Sequence, residues 1–161
     1  MLSVEDALEQ ILSRIKPLGT ELVEVLAALG RVLAEPVVSR LDLPPWPNSS
    51  MDGYAIRSED TRGGSAELAV VGRIVAGALP PRPLRAGETM RIFTGAPLPE
   101  GADAVVPQED VDADGERIAV PRRVDAGAHV RPAGEDIRAG DVVVGPGHVV
   151  GPAEIGLLAT L

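Results

Sequence analysis

The 161-residue chain is long enough for one medium domain or two small ones. Hydrophobic residues make up 45% of it, enough to build a core. Because only 2% of the residues are aromatic, that core must consist mainly of aliphatic side chains. The absence of cysteine excludes a disulfide framework and a thiolate metal site, and the formal net charge of −9 disfavours a nucleic-acid partner. Without a signal-peptide pattern, or the roughly 18 consecutive apolar residues of a membrane span, we expect a cytoplasmic protein.

The N-terminal segment predicts a helix. Ser3 is placed to cap it, Asp6 follows three residues later as in a capping box, and Pro17 and Gly19 are expected to end it. Its apolar residues recur at helical spacing, which is more often a packing stripe than a ligand site. They are Val4, Ala7, Leu8, Ile11, Leu12 and Ile15.

A proline-rich run follows two weaker elements. Residues 20–25 favour a short strand, and residues 26–33 favour a second helix that Gly30 weakens. The run LPPWPNSSMDGY at 43–54 holds the only Trp and the only Tyr of the chain. Its prolines forbid regular helix, so the run marks a candidate domain boundary.

From residue 51 to about 124 the pattern is that of β-structure. The segment 68–77 contains Gly72, which indicates a bend or a bulge. The segments 103–111 and 117–124 flank a turn at 112–115 and predict a hairpin. With further strands predicted from residue 53 and over 88–95, this region favours a small barrel or a folded sheet of short strands.

The C-terminal part is punctuated by Gly or Pro every few residues after Gly127, which predicts short strands with tight turns. Gly151 and Pro152 then open a short helix, with Pro152 in its first turn. The sequence ends on the apolar run LLATL, so we expect either a longer polypeptide or a docking partner.

Three segments are dense in residues that can do chemistry. In 48–54, Asp52 can present a carboxylate to a cation or a substrate donor, although Asp-Gly pairs are also common turn formers. In 93–101, Thr94 places a hydroxyl beside backbone N–H groups that we expect to be accessible to an anion, with a strand-ending turn as the alternative. In 131–136, the acid pair Glu135-Asp136 offers oxygen donors that suit Mg²⁺. The alternative is that the two acids are simply solvated on a turn.

Other functional classes have little support. His129 and His148 are nineteen residues apart and lack ligand-like companions. The sequence has no G-x-S-x-G, Walker A or G-x-G-x-x-G motif. The segment PPRP at 80–83 is either a recognition motif for a proline-binding groove or a stiff surface loop.

The order and spacing of PPWPNSSMDGYAIR, RIFTGAPLPEGADAVVPQED and HVRPAGEDIRAGD resemble the molybdopterin molybdenumtransferase family of the MoeA type, to which the gephyrin E domain also belongs. The segments LSVEDALEQIL and LGRVLAEPV fit the same family, so the resemblance covers essentially the whole chain. It implies an enzyme that inserts molybdate into adenylylated molybdopterin and releases AMP, assisted by Mg²⁺.

The resemblance also implies site residues. The positions matched to functional positions of the family are Asp52, Thr94 and Asp136 as catalytic residues, Ser50, Gly95, Arg131 and Glu135 as substrate-binding residues, and Asp52 and Asp136 as metal ligands.

The implied architecture is a β-rich α+β protein. Residues 1–43 and 127–161 would form a discontinuous α+β domain for linkage and dimerisation, and residues 44–126 an inserted β-barrel-like domain. Family members continue into a molybdopterin-binding α/β domain and a C-terminal β domain, which this chain lacks, so we expect the chain alone to be inactive.

The implied partners are a second copy of the full-length protein and molybdopterin adenylyltransferase, with no nucleic acid and no membrane. One alternative is a non-catalytic dimerisation or scaffold module of the gephyrin type. A standalone small-barrel ligand-binding protein is disfavoured by the acidic charge and the scarcity of aromatic residues.

Overall fold

The computed structural model of the chain describes residues 2–16 and 18–161. It divides into two compact units, Met1–Val37 with Val144–Leu161 and Val38–Val143. These bounds differ from the segments 1–43 with 127–161 and 44–126, whose assignment as domains stays a prediction.

The described residues form two α-helices, ten short strands and three 3₁₀ turns, which confirms the β-rich α+β class. The helices are α1 (Val4–Leu12) and α2 (Pro152–Thr160). The strands are β1 (Val37–Val38), β2 (Asn48–Ser49), β3 (Gly53–Ile56), β4 (Ala66–Ile74), β5 (Glu88–Ile92), β6 (Ala104–Pro107), β7 (Asp112–Ala113), β8 (Arg117–Val120), β9 (Val130–Arg131) and β10 (Val142–Val144). The 3₁₀ turns are Val25–Ala28, Ser58–Thr61 and Gln108–Asp110.

Helix α1 begins as predicted. The Oγ atom of Ser3 accepts a hydrogen bond of 3.1 Å from the backbone N–H of Asp6, which satisfies one of the free donors of the first turn. The helix ends at Leu12, earlier than expected, and Pro17 lies outside the described residues. None of its residues is buried, so in the described structure the apolar stripe is exposed.

The predictions for residues 20–33 are wrong. Residues 20–24 form no strand, and the second helix is reduced to the 3₁₀ turn Val25–Ala28. Gly30 has a φ of 77°, a left-handed conformation that breaks a helix. Its N–H donates to the carbonyl of Val150 at 2.8 Å, so a distant part of the same unit takes the hydrogen bond that a helix would have used.

A six-stranded sheet in the order β6-β3-β5-β4-β8-β7 dominates the larger unit. In a flat sheet its edge strands β6 and β7 would lie about 24 Å apart, since neighbouring strands are about 4.8 Å apart. Only residues 108–111 connect β6 to β7 along the chain, and even fully extended they reach about 17 Å. The sheet must therefore curl, as expected for a barrel-like β region.

The two faces of the sheet carry two separate cores. The first core contains residues of the edge strand β6 and of β8, the strand next to the opposite edge. Because these two strands share one core, the sheet curls around this face and encloses it. Its buried members are Ile56, Leu68, Ala104, Val106, Ile118 and Val120. The second core lies on the opposite face and is covered by loops. It contains Ala55, Ile74, Leu84, Met90, Ile92, Ala96 and Val105.

The hairpin prediction is correct only near its turn. β7 and β8 pair through Asp112↔Ala119 and Ala113↔Ile118, whereas β6 pairs with β3. The predicted strand 103–111 is broken because the 3₁₀ turn Gln108–Asp110 carries the chain from one sheet edge to the other.

Two shorter-range predictions are confirmed. The pairing of β4 with β5 changes register between Val70 and Arg73, an interval that contains Gly72. Pro152 is the first residue of α2. None of the helices described is long and apolar enough to cross a membrane.

Candidate functional site

The segment 47–52 lies between the other two dense segments and is hydrogen bonded to both. On one side β2 pairs with β9, with Asn48 opposite Arg131. On the other side Ser49 donates its N–H to the carbonyl of Ala96 at 3.0 Å, and Ser49 O accepts from the N–H of Gly95 at 2.8 Å. Three segments that are distant in sequence therefore meet at β2.

Asp52 is the exposed residue directly before β3, and it is bound to Thr94 through two hydrogen bonds. Its Oδ1 atom accepts from the backbone N–H of Thr94 and from the Thr94 hydroxyl, each at 2.8 Å. The carbonyl of Asp52 accepts from the N–H of Gln108 at 3.0 Å. These contacts hold the carboxylate in place, and no partner for Oδ2 is recorded within residues 2–16 and 18–161.

The same contacts keep Asp52 ionised. The backbone N–H of Thr94 contributes most to lowering the pKa of this carboxyl below its ordinary value, followed by the Thr94 hydroxyl. The guanidinium of Arg91 lowers the pKa further by favouring the charged form. Asp52 is thus a fixed negative charge with one oxygen open to a hydrogen-bond donor or a cation.

Arg131 organises the third segment. Its Nε donates to Glu135 at 2.5 Å, and its Nη2 donates to both carboxylate oxygens of Asp136 at 2.8 Å. The Glu135 and Asp136 hydrogen bonds raise the pKa of Arg131 above its ordinary value, so the group stays charged. The structure therefore brings Arg131, Glu135 and Asp136 together as one ionic group beside β2.

Ser50 and Gly95 belong to the same cluster, and they are joined to it by backbone hydrogen bonds. Ser50 donates its N–H to the carbonyl of His129 at 3.0 Å. Gly95 has a φ of 81°, and its N–H is occupied by Ser49. Since the N–H of Thr94 is held by Asp52, the expectation of accessible N–H groups at this turn is wrong: both have acceptors within the chain. Their substrate-binding roles stay predictions.

The described residues do not fit a magnesium site by themselves. Within 2–16 and 18–161 no group of three or more acidic or His side chains is placed to hold a metal ion. Asp52 is bound to Thr94, and Asp136 uses both of its oxygens on Arg131. The assignment of Asp52 and Asp136 as metal ligands therefore stays a prediction that would need further donors.

Asn48 carries an unsatisfied group at the centre of the cluster. The residue is 7% exposed, and its Oδ1 atom is buried without a hydrogen-bond partner in the described structure. A buried amide oxygen without a partner is costly, and the large majority of buried polar side-chain atoms have a hydrogen-bond partner. The cluster at β2 thus retains unused hydrogen-bonding capacity.

Sequence reasoning missed a group of cationic and aromatic residues next to Asp52. Arg91 lies 5.0 Å from the ring centre of Tyr54 and 4.9 Å from that of Phe93, and Arg73 lies 4.6 Å from the Phe93 ring centre. Tyr54 is the only Tyr of the chain and Phe93 is its only Phe, but the two arginines come from different strands. Only the pairing of β3, β4 and β5 places them together.

Comparison with known proteins identifies the family. The model of the MoeA N-terminal region, covering domains I and II, matches residues 2–161. The chain belongs to the MoeA family. The resemblance based on the three motifs is thereby confirmed.

The relatives are molybdopterin molybdenumtransferases, so the family is enzymatic. Molybdopterin molybdenumtransferase 2 of Mycobacterium tuberculosis is 42% identical over 143 residues, which are 86% of this chain and 35% of the relative. The molybdopterin molybdenumtransferase of Synechococcus elongatus is 38% identical over 168 residues, covering 100% of this chain and 42% of the relative. The chain thus spans less than half the length of these curated relatives.

A solved structure supports the same assignment. The molybdopterin biosynthesis MoeA protein from Pyrococcus horikoshii OT3 superposes with a TM-score of 0.92 at 36% identity. The match covers 100% of this chain and 44% of that chain, so the MoeA fold extends over the whole of this sequence.

Proposed function

We propose that this chain supplies the N-terminal region of a molybdopterin molybdenumtransferase, which inserts molybdate into adenylylated molybdopterin and releases AMP in molybdenum cofactor biosynthesis. The observation that carries the proposal is the meeting of the three motifs at β2, with Asp52 fixed by Thr94. The names of the relatives supply the reaction.

In this proposal each charged group has a definite task. Asp52 uses its open Oδ2 to accept a donor from the substrate while Thr94 fixes the other oxygen. Arg131 keeps a positive charge at the far side of β2, where Glu135 and Asp136 hold it. Transfer of the metal requires the remainder of the protein, because relatives more than twice as long carry the activity in their names.

The test is a chimera in which residues 1–161 replace the matching region of the Mycobacterium tuberculosis relative. We expect molybdate-dependent AMP release from the wild-type chimera. Asp52→Asn keeps an acceptor for Thr94 but removes the charge, and should lower kcat/KM by roughly 10²-fold, the size typical of a removed electrostatic contact in an active site.

Asp114→Asn is the matched control. Asp114 is also exposed, and its pKa is lowered in the same way, chiefly by the backbone N–H of Arg117 and then that of Glu116, but it lies in the β7–β8 turn. This variant should retain activity. A folded wild-type chimera without activity, or equal losses in the two variants, would contradict the proposal.

We also propose that the full protein acts in the cytoplasm, uses Mg²⁺, and receives its substrate from molybdopterin adenylyltransferase. A magnesium ion near Asp52 would need ligands beyond the residues described here. Equilibrium dialysis of the chain and of the chimera against Mg²⁺ tests this: binding is expected to the chimera only, and binding to neither would contradict a resident magnesium ion.

A homodimer is the second part of the proposal, and the exposed face of α1 supports it. Val4, Leu8, Ile11 and Leu12 are between 54% and 79% exposed, although they form a regular apolar stripe. Such a contiguous apolar surface is typical of an interaction site. The same surface suits a scaffold of the gephyrin type, which dimerises without catalysis. Activity of the chimera favours the enzyme, and dimerisation of an inactive chimera favours the scaffold.

A further inference from the structure

Two arginines without a carboxylate partner project from neighbouring strands beside Asp52. Tyr54, Arg91 and Arg73 form one row across β3, β5 and β4, with Tyr54 paired to Arg91 and Arg91 paired to Arg73. Directly paired residues place their side chains on the same face of a sheet. The two guanidinium groups therefore emerge side by side.

Phe93 holds the two guanidinium groups close together. Their central carbons lie 4.6 and 4.9 Å from the centre of its ring, so they are separated by no more than about one Debye length, about 10 Å at 0.1 M salt. Stacking on an aromatic face fixes the orientation of each guanidinium, but the repulsion between the two positive charges remains incompletely screened.

Most of the hydrogen-bond donors of the pair are unused. Arg91 donates from Nη1 to the carbonyl of Gly53 at 3.1 Å and from Nη2 to the side-chain oxygen of Gln108. For Arg73 no hydrogen bond or ion pair is recorded within the described ranges. This contrasts with Arg82 and Arg131, whose guanidinium groups are held by carboxylates at 2.7 Å and 2.5 Å.

Asp52 is an acidic group that interacts electrostatically with Arg91, and it does not neutralise the pair. Arg91 lowers the pKa of Asp52, but the Oδ1 atom of Asp52 is occupied by Thr94, and no ion pair joins Asp52 to either arginine in the part of the chain described. In a protein with 24 acidic and 15 basic residues, two adjacent arginines without a carboxylate partner leave a local positive surface.

We propose that Arg73 and Arg91 bind a tetrahedral oxyanion of the phosphate type beside Asp52 and Thr94. Guanidinium groups present planar forks of N–H donors that match the oxygen spacing of such anions, and an anion between them relieves their mutual repulsion. The inference rests on the proposed function for the identity of the substrate, which offers two sources of this chemistry: the phosphate of the adenylyl group and free molybdate.

The test is titration of the 161-residue chain with orthophosphate, molybdate and AMP at low salt, followed by the NMR signals of the arginine Nε–H groups and by calorimetry. We expect saturable shifts at Arg73 and Arg91. Arg73→Gln should weaken binding about fivefold, because exposed charge pairs contribute up to about 1 kcal/mol. Added salt should weaken binding further.

Arg62→Gln is the control, since it removes the same charge past the opposite end of β3, where Arg62 is exposed and paired with Glu59. It should leave binding unchanged. Arg91→Lys keeps the positive charge but loses the fork, and should weaken binding as well. Because Arg91 packs on two rings, circular dichroism is used to check that the Arg91→Lys variant is folded. If that variant unfolds, the test is decided by Arg73→Gln.

The three anions separate the sources. Binding of AMP and orthophosphate without molybdate assigns the site to the nucleotide phosphate, and binding of molybdate assigns it to the oxyanion that is inserted; either result supports an oxyanion site. No saturable shift at the two arginines, or equal binding by the Arg73→Gln chain, would overturn it. Since binding is measured on the chain itself, this outcome is independent of chimera activity.

Discussion

At the scale of single residues, the best-defined contact of the site is the pair of hydrogen bonds from Thr94 to Asp52. The carboxyl is exposed, yet its pKa is lowered because both donors stabilise its charged form. Its folded-state pKa therefore lies below the unfolded value, so the pair stabilises the fold above the ordinary pKa of 3.8. That contribution is lost as the pH falls through the folded-state pKa.

Removing the Thr94 hydroxyl tests this arrangement. Thr94→Val keeps the backbone N–H, which is the larger cause of the shift, and removes the side-chain donor. We therefore expect the pKa of Asp52 to rise only part of the way towards its ordinary value. The measurement is an NMR titration of the Asp52 side-chain carbon in both proteins. An unchanged pKa would show that the hydroxyl does not act on the carboxylate.

Gly53, next to Asp52, is required by a close approach of two strands. A Cβ atom at this position would overlap the carbonyl oxygen of Val106 and lie 2.8 Å from its carbonyl carbon. Because backbone atoms cannot move aside without breaking the β3–β6 pairing, Gly53→Ala should destabilise the fold by about 1–3 kcal/mol.

The matched control for that substitution is Gly63→Ala. A Cβ atom at Gly63 would have no neighbour within 4 Å, and this glycine does not have a positive φ. Urea denaturation followed by circular dichroism compares the two variants. Equal midpoints for Gly53→Ala and the unchanged protein would contradict the clash.

At the scale of elements, local patterns were predictable and distant pairings were not. Ser3 and Pro152 act within one helical turn, so their effects could be read from the sequence. The helix expected over 26–33 failed because Gly30 bonds to Val150, which is 120 residues away. Arg73 was missed for the same reason: its neighbour Arg91 belongs to another strand.

The candidate site shows the same difference between local patterns, which were predictable, and distant contacts, which were not. Asp52, Thr94 and the Arg131–Asp136 group were found because they lie in motifs that resemble a family. The contacts among them depend on β2, whose two residues pair on both sides with segments about 45 to 80 residues away. Their arrangement is a property of the folded chain that no local pattern contains.

The N-terminal cap of α2 depends on the ionisation of Glu154, which gives a testable pH dependence for this helix. Glu154 accepts from the N–H of Gly151 at 2.9 Å and interacts with His148 at 3.1 Å. Backbone N–H groups, first its own and then that of Gly151, lower the pKa of Glu154, with His148 contributing less. The cap is therefore complete above the ordinary pKa of 4.5 and is lost as the pH falls through the lower folded-state value.

Glu154→Gln should remove this pH dependence. In the unchanged chain we expect hydrogen-exchange protection of the first α2 amides to fall as the cap is protonated, after correction for intrinsic exchange. In the variant, protection should be lower at neutral pH and flat across the same range. A parallel pH response in both proteins would exclude Glu154 as its source.

At the scale of the whole molecule, the exposed apolar stripe of α1 is the feature most in need of a partner. The helix has a cap and an amphipathic pattern, yet none of its residues is buried in the described structure. An isolated nine-residue helix is marginal in water, so contacts with another surface would contribute most of its stability.

Leu8→Glu places a charge in the centre of that stripe, in the unit formed by Met1–Val37 and Val144–Leu161. If α1 forms part of a homodimer, light scattering should show the unchanged chain as a dimer at high concentration and the variant as a monomer. Glu9→Gln, on the same helix, should leave the mass unchanged. A strict monomer for the unchanged chain at high concentration would contradict this interface.

The stretch around β2 is held on both sides by backbone hydrogen bonds, and this has a consequence for what changes it can accept. Trp46 is exposed and can vary in chemistry, unlike Asp52, whose side chain is bound to Thr94. The length of the stretch cannot vary. Adding or deleting one residue between Asn48 and Asp52 would shift the register against two partners at once and turn every following side chain to the opposite face. We therefore expect insertions here to abolish the site, so this segment contributes a fixed length as well as the buried residues Asn48 and Ser49 and the carboxylate of Asp52.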